Sequence, residues 1–131
     1  MLSTARVLLI GLICLIVVPA AAAKKPGIAP APSVTGVYEN FTVGKTSGDL
    51  EGMRVVLVSA GDGHYAIVQI AQGGAEDPKP EFVLVTVKGL TVSFAVGEQK
   101  FTGTVTVAGL KLKQVGGITE ILKRKPCSSY L

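Results

Sequence analysis

The sequence predicts an all-β domain: an antiparallel meander of about eight short strands that forms a small closed or nearly closed barrel. Three observations support this. From Val34 onward valine outnumbers leucine by 15 to 8, and β-branched residues favour strands over helix interiors. Turn signals rich in glycine recur at short intervals, and no segment shows a helical hydrophobic period. Because such short links join only antiparallel neighbours, we expect the later strands to form a meander. A two-sheet sandwich is the alternative to a barrel.

The residues before the first strand have the pattern of a secretion signal. Arg6 precedes an apolar run over residues 7–18, and small residues that include Ala21 and Ala23 follow it. We predict that residues 1–23 are a signal peptide cleaved after Ala23. The apolar run rises only about 18 Å as a helix, against a hydrocarbon core of roughly 30 Å. We therefore expect a secreted or periplasmic protein with no stable membrane span after cleavage.

Residues 24–33 contain several prolines and predict an extended linker. The barrel domain is expected over residues 34–124 and a basic, flexible tail over residues 125–131. The formal net charge of +4 falls to +3 without Arg6. Five basic residues lie near the two ends of the mature chain, and without them the body carries −2. A nucleic-acid reader carries a basic face with stacking aromatics on the folded body, so we expect no nucleic-acid partner.

The eight expected strands are bounded by the turn signals. Gly61-Asp-Gly63 separates the second strand from the third, the stretch from Gly73 to Pro80 precedes the fourth, and Gly89, Gly97 and Gly109 begin or border later turns. The strands are expected over residues 34–41, 53–59, 64–71, 82–88, 91–96, 100–107, 110–115 and 118–123.

In the second half of the chain, apolar and polar residues alternate, which predicts one core face and one solvent face. The last strands continue this pattern, with lysines expected to point outward. The core face is expected to include Val92, Phe94, Val96, Phe101, Val105, Val107, Leu110, Leu112, Ile118 and Leu122. With Met53, Val55 and Leu57 these side chains fill a narrow barrel, and Gly103 is expected to leave a gap near one end. We favour a dry core over an open calyx.

The second, third and fourth strands are apolar on both faces. Their outer face therefore needs a cover, because soluble monomers seldom leave large apolar patches bare. Three covers are open: the loop over residues 40–52, the proline-rich arm, or another molecule. Residues for a partner-binding surface are Val56, Val58, Tyr65, Ile67 and Gln69.

The residue types that usually carry catalysis or metal binding are scarce. His64 follows Asp62 in a turn, and it has neither a second histidine nor a nearby cysteine to complete a zinc site. Asp49-Leu-Glu51-Gly52 lacks the dense oxygen ligands of a calcium loop. Ser59 lies close to His64 in sequence, but nothing resembles a nucleophile elbow. We therefore expect no enzyme, no metal site and no cofactor.

Two residues are open to covalent modification. Cys127 is the lone cysteine after the signal, and in an oxidising compartment an exposed thiol can cross-link two copies. Asn40-Phe41-Thr42 matches the glycosylation sequon. Each also has a simpler interpretation: Cys127 is a tolerated tail residue, and the sequon at Asn40 is a chance match.

Part of the chain resembles a family. The residues concerned are Phe101-Thr-Gly103-Thr-Val105, Gly109-Leu110 and Gly116-Gly117-Ile-Thr-Glu120-Ile-Leu122-Lys-Arg124. They are similar to the closing hairpins of small secreted bacterial all-β proteins of unassigned activity, which are lipocalin-like in layout. The resemblance implies a barrel fold and implies no particular function.

We therefore expect an exported, non-enzymatic β-barrel that binds a protein partner or forms a homodimer. Two alternatives stay open: a carrier of a small apolar ligand, and a structural component of the cell envelope held by its basic tails.

Overall fold

A computed structural model of the chain describes residues 32–74 and 78–126. The predicted signal peptide, its cleavage site at Ala23 and Cys127 lie outside these residues. The described part folds into nine β-strands: β1 (Gly36–Glu39), β2 (Thr42–Val43), β3 (Leu50–Ala60), β4 (Gly63–Gln72), β5 (Glu81–Lys88), β6 (Thr91–Val96), β7 (Gln99–Val105), β8 (Gly109–Gln114) and β9 (Thr119–Lys125).

The strands form a closed antiparallel meander, which confirms the predicted fold class. Each strand from β3 to β8 pairs with the next, and β1 closes the barrel because it pairs with both β9 and β3. The layout is consistent with a lipocalin-like barrel of eight strands. The two-residue strand β2 follows β1 along the edge of β3 and was not predicted, because so short a pairing leaves no periodic pattern.

Three of the tight hairpins depend on glycine at the first of two linking residues. Gly61, Gly89 and Gly97 have φ values of 60°, 61° and 56°, a region that side chains with a Cβ avoid. Glycine at the first central position is typical of a type II′ turn, whose twist matches that of the flanking strands. The sequence signals that predicted these hairpins are thus the residues that their backbone requires.

The interior is filled with apolar side chains, as the alternation predicted. Fifteen buried residues form one cluster. They are Tyr38, Met53, Val55, Leu57, Ala66, Val68, Val85, Val92, Phe94, Val96, Phe101, Val105, Leu110, Leu112 and Leu122.

Three core expectations were wrong. Val107 and Ile118 are 77% and 72% exposed, because both lie in turns where the strand alternation has ended. Gly103 leaves no gap: a Cβ added there would lie 2.8 Å from Leu110 Cδ1 and 2.9 Å from Leu112 Cδ1. Both leucines on the adjacent strand β8 fill the space that Gly103 opens.

A buried tyrosine joins the N-terminal strand to β9. The Tyr38 hydroxyl donates to the Val34 carbonyl at 2.9 Å and accepts from Arg124 at 2.6 Å. The Arg124 guanidinium lies 5.2 Å from the centre of the Tyr38 ring and also donates to the Ser33 carbonyl. Arg124 therefore belongs to the barrel wall, and β9 includes all three basic residues near the C-terminal end of the barrel.

Tyr38 predicts a pH dependence of stability. Burial raises the pKa of the Tyr38 phenol above its usual 10.0, and the hydrogen bond and charge of Arg124 offset part of this rise. The folded state holds this proton more tightly than the unfolded chain does. Its stabilising effect is therefore complete below about pH 10 and declines as the pH rises through the folded-state pKa.

We expect wild type to lose more unfolding free energy between pH 8 and pH 11 than Tyr38→Phe does, as measured by urea denaturation. At pH 8, Tyr38→Phe should be less stable by about 1–3 kcal/mol, because the Val34 carbonyl and Arg124 lose a buried partner. Tyr65→Phe is the control, and it should keep the wild-type pH dependence. An equal alkaline loss in wild type and Tyr38→Phe would contradict this assignment.

Candidate functional site

The outer surface of β1, β3, β4 and β5 carries a continuous patch of apolar side chains. We call this patch the apolar outer face. It consists of Val37, Val56, Val58, Tyr65, Ile67, Phe82 and Leu84.

The strand register explains how these side chains come together. Val37 lies opposite Val56, Val56 opposite Ile67, and Ile67 opposite Phe82, which makes one row across four strands. A second row runs through Val58, Tyr65 and Leu84. Because side chains directly opposite each other on one face of a sheet are in contact range, the two rows form one surface.

The apolar outer face is most exposed at β5. Phe82 and Leu84 are 67% and 68% exposed and Ile67 is 37% exposed. Val56 and Val58 are half-buried, and Val37 at the β1 end of the patch is buried. Stacking holds the Phe82 ring on Tyr65, with the centroids 5.2 Å apart and the planes 11° from parallel. A pre-ordered aromatic pair with this much exposed area resembles the anchors found at protein interfaces.

All five residues that the sequence marked for partner binding lie on this side of the sheet. Val56, Val58, Tyr65 and Ile67 belong to the apolar outer face itself. Gln69 lies beside it and its amide is already engaged, because it accepts from Arg54 at 3.2 Å and donates to the Pro78 carbonyl at 3.0 Å. Gln69 thus forms part of a polar border.

That border continues across the neighbouring strands. Arg54 donates to Glu39 at 2.7 Å, and Lys125 lies 3.8 Å from the same carboxylate. Phe41 places its ring 5.1 Å from the Arg54 guanidinium. Charged groups paired in this way flank the apolar outer face on one side, which is the arrangement of a polar rim around an apolar centre.

Sequence reasoning did not select Phe82, Leu84 or Val37 for this site. The sequence did contain a signal for Phe82 and Leu84, because the fourth predicted strand is apolar on both faces. Val37 could not be assigned before the closure of the barrel was known, since only the pairing of β1 with β3 puts it beside Val56.

Of the three covers considered for this face, the loop over residues 40–52 leaves Phe82 and Leu84 exposed. In the proline-rich arm, residues 24–31 lie outside the described residues. Two of the three covers therefore stay open for Phe82 and Leu84: the proline-rich arm and another molecule.

The residues considered for catalysis lie at one end of the barrel. His64 and Ser59 are directly opposite each other on β4 and β3. No hydrogen bond links their side chains in the part of the chain that the structure describes. Within residues 32–74 and 78–126, no group of three or more His, Cys, Asp or Glu side chains is placed to hold a metal ion.

The Asn40 amide is used inside the fold. Its Nδ2 donates to Glu120 at 2.5 Å and its Oδ1 accepts from the Met53 amide at 2.7 Å. Because Nδ2 is the atom that a glycan would occupy, attachment at Asn40 requires this contact to break.

The barrel interior leaves little room for a carried molecule. A cavity of about 160 Å³ opens at the end of the barrel formed by Gly52, Gln72, Gln99 and Ile118. Ligand sites for drug-sized molecules usually measure about 300–1,000 Å³. The cavity is thus smaller than the usual site of a drug-sized ligand, and the carrier of a small apolar ligand stays a prediction.

Comparisons of the chain with protein-family models, with curated proteins and with solved structures find no match. The described residues include no helix of the length and apolar character that a membrane span needs.

Proposed function

We propose that the chain is an exported, non-enzymatic β-barrel that binds a protein through its apolar outer face. The observation that carries the proposal is the exposure of Phe82 and Leu84 beside Ile67 and Tyr65 of β4, in the same two rows as the half-buried valines of β3. Burial of apolar surface contributes roughly 25 cal/mol per Å², so a partner that covers these side chains gains substantial free energy. The predicted signal peptide supports export to the cell exterior or the periplasm.

The edge of β5 supports an extended segment as the bound element. The ladder between β5 and β6 covers Thr86, Val87 and Lys88. On its other edge β5 pairs with β4 from Glu81 to Val85. Residues 81–85 therefore have no ladder partner on the β6 side, although residues 81–96 are all described. An incoming strand could use these backbone groups while its side chains contact Phe82 and Leu84. Another protein or a second copy of this chain could supply that strand.

Phe82→Lys tests this proposal, with Thr86→Lys as the matched control on the same strand and face. Since truncation of an interface anchor costs about 2 kcal/mol or more, Phe82→Lys should weaken binding by at least about 30-fold. Binding is measured by pull-down from the native host and self-association by sedimentation velocity across a concentration series. Both variants should unfold within about 0.5 kcal/mol of wild type, because both positions are exposed.

The two assays separate the two kinds of partner. If the wild-type protein sediments as a monomer and the pull-down captures a specific host protein, the partner is a different protein. If the wild-type protein forms a reversible dimer that Phe82→Lys loses, the partner is a second copy of this chain. If Phe82→Lys and Thr86→Lys both match wild type in both assays, the proposal is wrong.

A further inference from the structure

A pocket at one end of the barrel has the features of a second binding site. We call it the mouth pocket. It measures about 160 Å³ and combines an apolar floor with a polar rim. The floor is formed by Met53, Ile70, Phe101 and Leu112, and the rim includes Gln72, Gln99, Gln114 and Glu120.

Glu120 is the one ionisable side chain among the residues that line the mouth pocket. It lies on the inner face of β9, two residues before the fully buried Leu122 and directly opposite Leu112. Carboxylates are rare on inward-facing barrel positions because removing their charge from water is costly unless a partner compensates. A half-buried carboxylate at such a position therefore calls for an explanation.

Asn40 holds this carboxylate in place. Its Nδ2 donates to Glu120 Oε2 at 2.5 Å. The Asn40 backbone and side chain are fixed in turn, because its amide donates to the Met53 carbonyl at 3.0 Å and its Oδ1 accepts from the Met53 amide. Gly52 allows this close approach: a Cβ there would lie 2.8 Å from the Asn40 carbonyl oxygen. The carboxylate is thus oriented before any ligand arrives.

The described residues give Glu120 a neutral partner and no cation. The ion pairs of the described chain join Arg54 and Lys125 to Glu39, which is on the outer surface. Asn40 donates to one oxygen of Glu120, and no Lys, Arg or His side chain of the described residues lies within ion-pair distance of this carboxylate. The side-chain carbonyl oxygens of the rim glutamines are further hydrogen-bond acceptors.

We propose that the mouth pocket binds a small organic ammonium ion. Its charged nitrogen donates to Glu120 and to the glutamine oxygens of the rim, while its carbon skeleton lies on the floor formed by Met53, Ile70, Phe101 and Leu112. A cavity of ~150 Å³ accepts a benzene-sized group, so the skeleton is of about that size. This site lies at the barrel end, apart from the apolar outer face, and does not depend on the function proposed for that face.

Benzylammonium is the probe, with benzyl alcohol and benzoate as neutral and anionic analogues of similar shape. Affinities are measured by NMR titration of the full mature chain, following the backbone amides of Gln114 and Ile118. Wild type should bind benzylammonium at least tenfold more tightly than benzyl alcohol and should not bind benzoate. Glu120→Gln should lose at least tenfold in affinity for benzylammonium and none for benzyl alcohol.

Glu98→Gln is the matched control, because Glu98 is exposed at the same end of the barrel and does not line the pocket. It should bind benzylammonium as wild type does. Glu120→Gln should still fold, since the glutamine oxygen can accept from Asn40, and its unfolding curve checks this. Absence of benzylammonium binding to wild type, equal binding of benzyl alcohol, or an unchanged affinity in a folded Glu120→Gln would each overturn the proposal.

Discussion

Leu122→Ala is expected to lower the free energy of unfolding by about 3–5 kcal/mol, which is a large part of the stability of a small domain. The Leu122 side chain lies on strand β9 and is fully buried in the core cluster. Its removal deletes apolar contacts and leaves a cavity that a closed barrel cannot collapse easily, because both neighbouring strands are fixed by their ladders. Urea denaturation measures the change.

Ile121→Ala is the matched control for this prediction. Ile121 precedes Leu122 on the same strand but points outward and is 68% exposed. Its truncation should change the unfolding free energy by less than about 0.5 kcal/mol. A similar loss in both variants would mean that the inner and outer faces of β9 are assigned wrongly.

Gly109→Ala is expected to destabilise the barrel by at least about 3 kcal/mol, or to prevent folding. Gly109 begins β8 directly opposite Lys123 on β9, and an added Cβ would overlap the backbone carbonyl oxygen of Leu122. Backbone atoms in a ladder cannot move aside as a flexible side chain can, so the two strands must separate. Thermal unfolding and circular dichroism measure the effect.

Gly117→Ala provides the comparison. At that position the nearest neighbours of an added Cβ are atoms of the Gln114 side chain, at 3.0–3.2 Å. The amide end of the half-buried Gln114 side chain can rotate away, and its Cβ, at 3.1 Å, has to give by only a few tenths of an ångström. The variant should therefore lose at most about 1 kcal/mol, well below the loss in Gly109→Ala. If Gly109→Ala is as stable as Gly117→Ala, the close packing of β8 on β9 is wrong.

The sequence predicted the barrel because two local signals were independent and agreed. Glycine-led turns marked the hairpins, and alternation marked the buried face, so that Phe94, Phe101 and Leu110 were assigned correctly. Alternation failed at Val107 and Ile118 because it carries no information on where a ladder ends. The predicted gap at Gly103 was wrong for a related reason: the leucines that fill the space beside Gly103 lie on another strand.

The sites were predictable only in part. The apolar character of both faces of β3 and β4 follows from their residues alone, and it led to Val56, Val58, Tyr65 and Ile67. Contacts between residues that are far apart in the chain leave no such pattern in the sequence. Asn40 and Glu120 are separated by 80 positions and Tyr38 and Arg124 by 86, so their contacts appear only once β1 is known to close the barrel between β9 and β3.

We propose that the barrel acts by binding a protein on its apolar outer face. Native mass spectrometry of the protein purified from its own host, as wild type and as Phe82→Lys, tests this most directly. We expect a wild-type species heavier than the monomer by one defined protein chain, and we expect Phe82→Lys to lose this species. A wild-type protein that is only monomeric, or a complex that persists unchanged in Phe82→Lys, would contradict it.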